Sequence, residues 1–173
     1  MTIDLKTYKQ YSAGDALVAG VFENIPLAEF SLFPKLGKED RTYLKVFSES
    51  LTGETKEIKL ALLPGGTKII FVGLGKKDEW DITKFTLFVR KGVQALKSNR
   101  IDRAGFILDT HVLPRGSTIE HLAMVAGQNA VLADFDFTIY KEAPPKGWPV
   151  IRSLSLYVQN ATAAAKKSLR EGL

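Results

Sequence analysis

The sequence predicts an α/β fold built on a mixed, mostly parallel sheet with helices covering both sides. Three observations carry this. Ala16–Phe22, Ile69–Val72 and Ala104–Leu108 are unbroken apolar runs of the kind that strands buried on both faces require. Between the second and third runs lies Ile82–Ser98, where Ile82, Phe85, Val89, Val93 and Leu96 recur every three or four residues. Strand, helix and strand joined this closely imply a right-handed parallel crossover. Finally, Pro64-Gly65-Gly66 separates Glu57–Leu63 from Lys68–Leu74 by no more than a turn, which predicts an antiparallel hairpin.

Taken in order, Ile3–Tyr8 alternates Ile3 and Leu5 with Asp4 and Lys6, a half-exposed strand near a sheet edge. Ser12–Asp15 is a turn. Gly20 inside Ala16–Phe22 marks a bulge or the close approach of another backbone. Leu27–Phe33 carries apolar residues at Leu27, Phe30 and Phe33 before Pro34. A helix starts near Lys38 and runs through Tyr43, Leu44 and Phe47. Leu51–Glu54 is a glycine-containing turn into the hairpin. Ile69–Val72 sits mid-sheet and ends at Gly73-Leu74-Gly75, and Asp81 is placed to cap the helix that follows. The polar face of that helix carries Lys84, Arg90, Lys91 and Lys97, the last of which complements the helix dipole.

Asn99–Arg103 is a loop. Ser117 and Glu120 have capping-box spacing, opening a helix to about Ala133. Its buried face is Ile119, Leu122, Ala123, Ala126, Ala130 and Val131, and its small residues with Gly127 let it lie close against a sheet. Phe135, Phe137 and Tyr140 form an aromatic tail, and Ala143–Pro149 is a loop. Ile151–Val158 is the last strand, with Leu154, Leu156 and Val158 on one face. Asn160 or Thr162 caps a final Ala/Lys helix to Arg170 that has little apolar surface for its length.

Composition narrows the chemistry. The 173 residues suit one domain, and 45% hydrophobic with 25% charged residues is ordinary for a globular protein. With no cysteine there is no disulfide, thiolate nucleophile or sulfur-ligated metal. That, together with the lack of a leader-like N-terminus, fits a cytoplasmic protein. No apolar run approaches the ~18 residues of a spanning helix, so no membrane partner is expected. The net charge of +5 motivates a nucleic-acid partner, but the basic residues are scattered, as on a solvated surface.

His111 and His121 are the only histidines, too few for a histidine-built metal site, and both read as surface residues. Asp109 follows a strand end, where α/β ligand sites lie, but a turn or capping role is the better account of it. Gly73 and Gly75 offer backbone N–H groups to a phosphate, with Lys76 beside them to add charge. The turn alone also accounts for the glycines, and the segment is neither a dinucleotide fingerprint nor a P-loop. Trp80, at the start of a helix, reads as a packing residue.

Several segments carry a resemblance. They are Asp15–Phe22; Ile69–Trp80, with its Val-Gly-Leu-Gly-Lys-Lys-Asp-Glu-Trp; the helix from Ser117 through the aromatic tail to Tyr140-Lys141; and the last strand with the Ala-rich helix from Asn160. In this order and spacing they resemble the N-terminal domain of the leucyl aminopeptidases, the cytosol aminopeptidase family M17.

The resemblance implies a three-layer α/β/α sandwich, macrodomain-like, as a single domain over 1–173. The helix at about 160–173 would lead to a catalytic domain outside this sequence. There the family places two divalent metals, zinc or manganese, in a homo-hexameric exopeptidase that removes N-terminal residues such as leucine. The family's metal-binding Lys/Asp segment and its Asn-Thr-Asp-Ala-Glu-Gly-Arg run do not occur here. The resemblance therefore carries over no catalytic or metal residue, and this chain alone is not expected to be an enzyme or to hold a cofactor. Its expected role is assembly and active-site access, with the catalytic domain and sister subunits as partners. Two alternatives remain: an ADP-ribose or nucleotide-binding module centred on Gly73, Gly75 and Lys76, and a DNA-binding accessory domain.

Overall fold

The computed structural model describes residues 1–11, 16–26, 35–108, 112–136, 142 and 144–173. The expectations for Ser12–Asp15, Leu27–Phe33, Asp109, His111, Phe137 and Tyr140 fall outside these residues, wholly or for the greater part.

Among the described residues, six strands form one sheet: β1 (Thr2–Thr7), β2 (Ala16–Phe22), β3 (Ile58–Leu62), β4 (Lys68–Gly75), β5 (Arg103–Ile107) and β6 (Ser153–Val158). Their order is β1-β6-β5-β2-β4-β3, and every pairing is parallel except β3 with β4. The mixed, mostly parallel sheet is therefore as the sequence predicts, and the hairpin closes through Gly66, whose φ of +86° suits a residue without Cβ. β1 lies at one edge, as its alternation implies. β4 is an interior strand but not the middle one, being a single strand in from the β3 edge. The crossover from β4 to β5 is parallel yet skips a place, because β2 lies between them.

Four helices flank the sheet: α1 (Lys38–Ser48), α2 (Ile82–Ser98), α3 (Ile119–Asp134) and α4 (Ala163–Glu171). The alternation of each strand sorts its side chains into two cores. On one face, Val18, Phe22, Ile70, Val72, Phe106 and Leu156 pack with Phe85, Val89 and Leu96 of α2, Leu122 and Ala126 of α3, and Leu169 of α4. On the other, Leu17, Ala19, Val21, Ile69, Phe71 and Tyr157 pack with Leu44 of α1, Tyr8, Leu36 and Leu63. The result is a three-layer α/β/α arrangement with a heavier helical layer on one side. Each large aliphatic or aromatic side chain so buried contributes about 1.5–3 kcal/mol.

The caps settle the helix boundaries. Asp81 caps α2 as predicted, its Oδ1 accepting from Lys84 N–H at 2.8 Å, and Thr162 caps α4, accepting from Ala165 N–H at 3.0 Å. At α3 the expected Ser117–Glu120 box is not formed. Thr118 is the cap, accepting from His121 N–H at 3.2 Å, and the Glu120 carboxylate instead accepts from Thr162 Oγ1 at 3.2 Å.

Four further expectations are corrected. Gly20 makes room for a side chain, since a Cβ there would lie 2.6 Å from Leu74 Cδ1; the bulge falls one step later, between Val21 and Phe22. Gly127 admits a helix rather than the sheet, since its Cβ would lie 2.7 Å from Leu169 Cδ1 of α4. That contact also gives α4 its support, with Ala165 and Leu169 buried. Val131 is exposed. Lys97 is buried, because its ammonium donates to Asp134 O at 2.7 Å and to the Asp136 carboxylate.

Candidate functional site

In parallel α/β sheets ligands gather where the strands end at their C-terminal side. Here that side is formed by Phe22, Gly75 and Leu108, with the segment Lys76–Trp80 rising from β4. Lys77–Glu79 forms a single 3-10 turn, which sends the chain directly into α2.

The glycines of β4 are explained by a loop that lies on them. Gly73 N–H donates to Glu57 O at 2.8 Å, Gly75 N–H donates to Gly53 O at 2.7 Å, and Gly75 O accepts from Glu23 N–H at 3.1 Å. A Cβ on Gly73 would lie 1.8 Å from Glu54 O, and one on Gly53 would lie 2.5 Å from the backbone of Phe22. Three backbone segments thus meet with no side chain between them. Both N–H groups that a phosphate cradle would use are donated to carbonyls, and of the three residues singled out in the sequence only Lys76 is exposed.

The loop over the glycines is held by Glu57. Its carboxylate accepts from Gly53 N–H at 2.7 Å and Thr52 N–H at 3.0 Å, and pairs with Lys59 Nζ at 2.9 Å. Burial pushes the Glu57 carboxyl up. The hydrogen bond from Lys59, the N–H groups of Thr52 and Gly53, and the Lys59 charge together outweigh burial, so its pKa lies below the ordinary 4.5. Lys91 of α2 donates to Thr55 O and ties the same loop to the helical layer. Nothing in the local sequence around Glu57 signals this anchoring role, because both of its N–H partners lie four and five residues back.

Trp80 is a packing residue, as expected. Its ring meets Phe22 edge-to-face at 5.2 Å, and its Nε1–H donates to Val112 O at 3.0 Å. On its outer side an open groove is lined by Lys77, Asp78, Trp80, Leu113 and Arg115. Its lining carries two cations and one carboxylate beside the apolar Trp80 and Leu113. Leu113 and Arg115 carry no local signal in the sequence, because a Pro-Arg-Gly turn marks only a loop. Among the described residues, no group of three or more His, Asp or Glu side chains comes together. His121 is exposed on the first turn of α3. No helix among the described residues is long and apolar enough to cross a membrane.

The sequence profile of the cytosol aminopeptidase family, N-terminal domain, matches residues 45–144. Among solved structures, the chain is similar to a tomato leucine aminopeptidase mutant with a TM-score of 0.74 and 17% identity, covering 99% of this chain and 35% of that one. It is also similar to the bottromycin maturation enzyme BotP in complex with Mn, with a TM-score of 0.60 and 15% identity, covering 93% of this chain and 29% of that one. BotP in a second structure gives a TM-score of 0.61 at 16% identity, covering 93% of this chain and 30% of that one. At these identities the likeness is one of fold, and the chain spans about a third of the length of the structures it matches. No match was found among curated proteins.

Proposed function

The chain belongs to the cytosol aminopeptidase family, as its N-terminal domain, and from that premise we propose that it is the non-catalytic part of a leucyl aminopeptidase. The metal-dependent removal of N-terminal residues would be the work of a catalytic domain carried outside these 173 residues, using two divalent metals, zinc or manganese. This domain would serve assembly with sister subunits of a homo-hexamer, and access to the active site, in the cytoplasm. The three-layer sandwich would be of the macrodomain-like kind.

The observation that carries the reading is one of extent. Nearly the whole chain superposes on only 35% of a leucine aminopeptidase, and the family match is to the N-terminal domain by name. The site geometry supports it, because the glycine-rich end of β4 is occupied by the protein's own backbone and works as a structural joint. The test is direct. The purified chain, supplied with zinc or with manganese, is expected to release no leucine from a leucyl peptide. Metal-dependent release by this chain would overturn the reading.

A further inference from the structure

We infer that the polar cleft at the N-terminal end of the sheet binds a small ligand bearing two or more phosphate groups. The inference goes beyond the reading above, because it adds a ligand to a domain proposed there as non-catalytic. It also lies at the end of the sheet opposite Gly73 and Gly75.

Strand order builds the cleft. Ala16 opens β2, Lys68 opens β4 and Arg103 opens β5, and these strands are neighbours with β2 between the other two. Ala16 lies level with Ala104, and Leu17 with Ile69. Lys68 and Arg103 therefore stand on either side of a strand start that carries only a methyl group. Two strand spacings separate them, about 9–10 Å. Gly66 of the hairpin turn and the loop Arg100–Asp102 complete the lining of a cleft of about 330 Å³, the room of a small-ligand site.

The lining is cationic. Lys68, Arg100 and Arg103 are joined by one carboxylate, Asp102. A fourth cation offsets that carboxylate, since Arg152 Nε lies 3.3 Å from Asp102 Oδ2. Asp40, beside the same hairpin turn, is buried and accepts from Gly65 N–H. Lys68 and Arg103 have no hydrogen bond or ion pair among the described residues. Folding thus gathers three like charges that are scattered along the sequence, and an anion between them would relieve their repulsion.

Arg100 adds a second argument. It follows the C-cap of α2 with a φ of +52°, a left-handed position where glycine is the favoured residue. Its guanidinium is held at two points, Nη1 donating to Lys146 O at 3.0 Å and Nη2 to Gly147 O at 3.1 Å. It is a cation oriented before any ligand arrives, and a planar guanidinium matches the oxygens of a phosphate.

Isothermal titration calorimetry of the 173-residue chain with inorganic tripolyphosphate tests the proposal. A titration to about 5 mM ligand reaches millimolar affinity. One site per chain is expected, weakening as salt is added. Lys68→Gln and Arg103→Gln should each weaken binding roughly tenfold, the loss of one charged hydrogen bond. Both side chains are exposed, so the fold is retained. Arg100→Gly supplies the residue that the left-handed backbone favours and should weaken binding as much, with circular dichroism confirming that it folds. Lys166→Gln removes an exposed charge from α4 and should leave binding unchanged. No heat across the titration, or equal weakening by Lys166→Gln and Arg103→Gln, would overturn the proposal. So would binding of a short DNA duplex that tripolyphosphate cannot displace.

Discussion

The two edges of the sheet follow opposite plans. At β1, Ile3 and Leu5 are 9% and 5% exposed and alternate with exposed Thr2 and Asp4. At β3 the alternation is equally regular but reversed in effect: Ala61 is buried, and Ile58, Leu60 and Leu62 face water. The difference lies in what covers each strand. α4 packs against β1, so its apolar residues have a partner. The helical layer stops short of β3, so the face that continues the α2 core is left open among the described residues. An alternating pattern thus specifies which residues share a face, whereas their burial depends on what the rest of the fold brings to that face.

The largest effect should separate the edges outright. Leu5→Ala is expected to cost about 2–4 kcal/mol through lost burial and a residual cavity. Leu60→Ala at the opposite edge should stay within about 0.5 kcal/mol in dilute solution, as for other exposed positions. Urea unfolding of the two variants measures this, and equal losses would break the comparison. Next comes the joint that feeds β3. Gly73→Ala should cost about 2–3 kcal/mol by overpacking, because its Cβ would sit 1.8 Å from Glu54 O. Gly66→Ala in the neighbouring turn has no atom within 4 Å of its Cβ, so it should lose only about 1 kcal/mol, through its positive φ. If the two glycines proved equivalent in unfolding experiments, the packing of loop 52–57 on β4 would be wrong.

A smaller effect is expected where α1 meets the hairpin. Buried Asp40 accepts from Gly65 N–H at 2.8 Å, and Asp40→Ala leaves that donor without its partner, at about 1–2 kcal/mol. Asp40→Asn, which keeps an acceptor, should recover part of the loss in the same assay. The smallest effect is in pH. The folded pKa of Glu57 lies below its unfolded value, so its contribution is present above the ordinary 4.5 and is lost as pH falls through the folded pKa. Glu57→Gln should therefore narrow the gap in stability between pH 7 and pH 3. A variant as acid-sensitive as the parent would remove Glu57 from the account.

Much of this was legible in the chain because it is governed by neighbours in sequence. The buried runs of β2 and β4, the stripe of α2, the Asp81 cap and the hairpin all depend on residues a few places apart. What was not legible depends on distant partners. Lys97 reads as a solvated residue until Asp134 and Asp136 are folded back over it, 37 and 39 positions away. Glu120 has capping-box spacing, yet its carboxylate is drawn to Thr162, 42 positions on. β1 pairs with β6 across the length of the chain, a contact no local pattern encodes. The same holds for the site. The glycines at 73 and 75 were visible, but that a loop from Thr52 to Glu57 occupies them follows only from the fold.

The central proposal is that this domain holds no reaction centre of its own. Equilibrium dialysis of the purified 173-residue chain against zinc or manganese tests it most directly. The account predicts no stoichiometric retention of either ion. Two ions held tightly per chain, with protein carboxylates as their ligands, would contradict it.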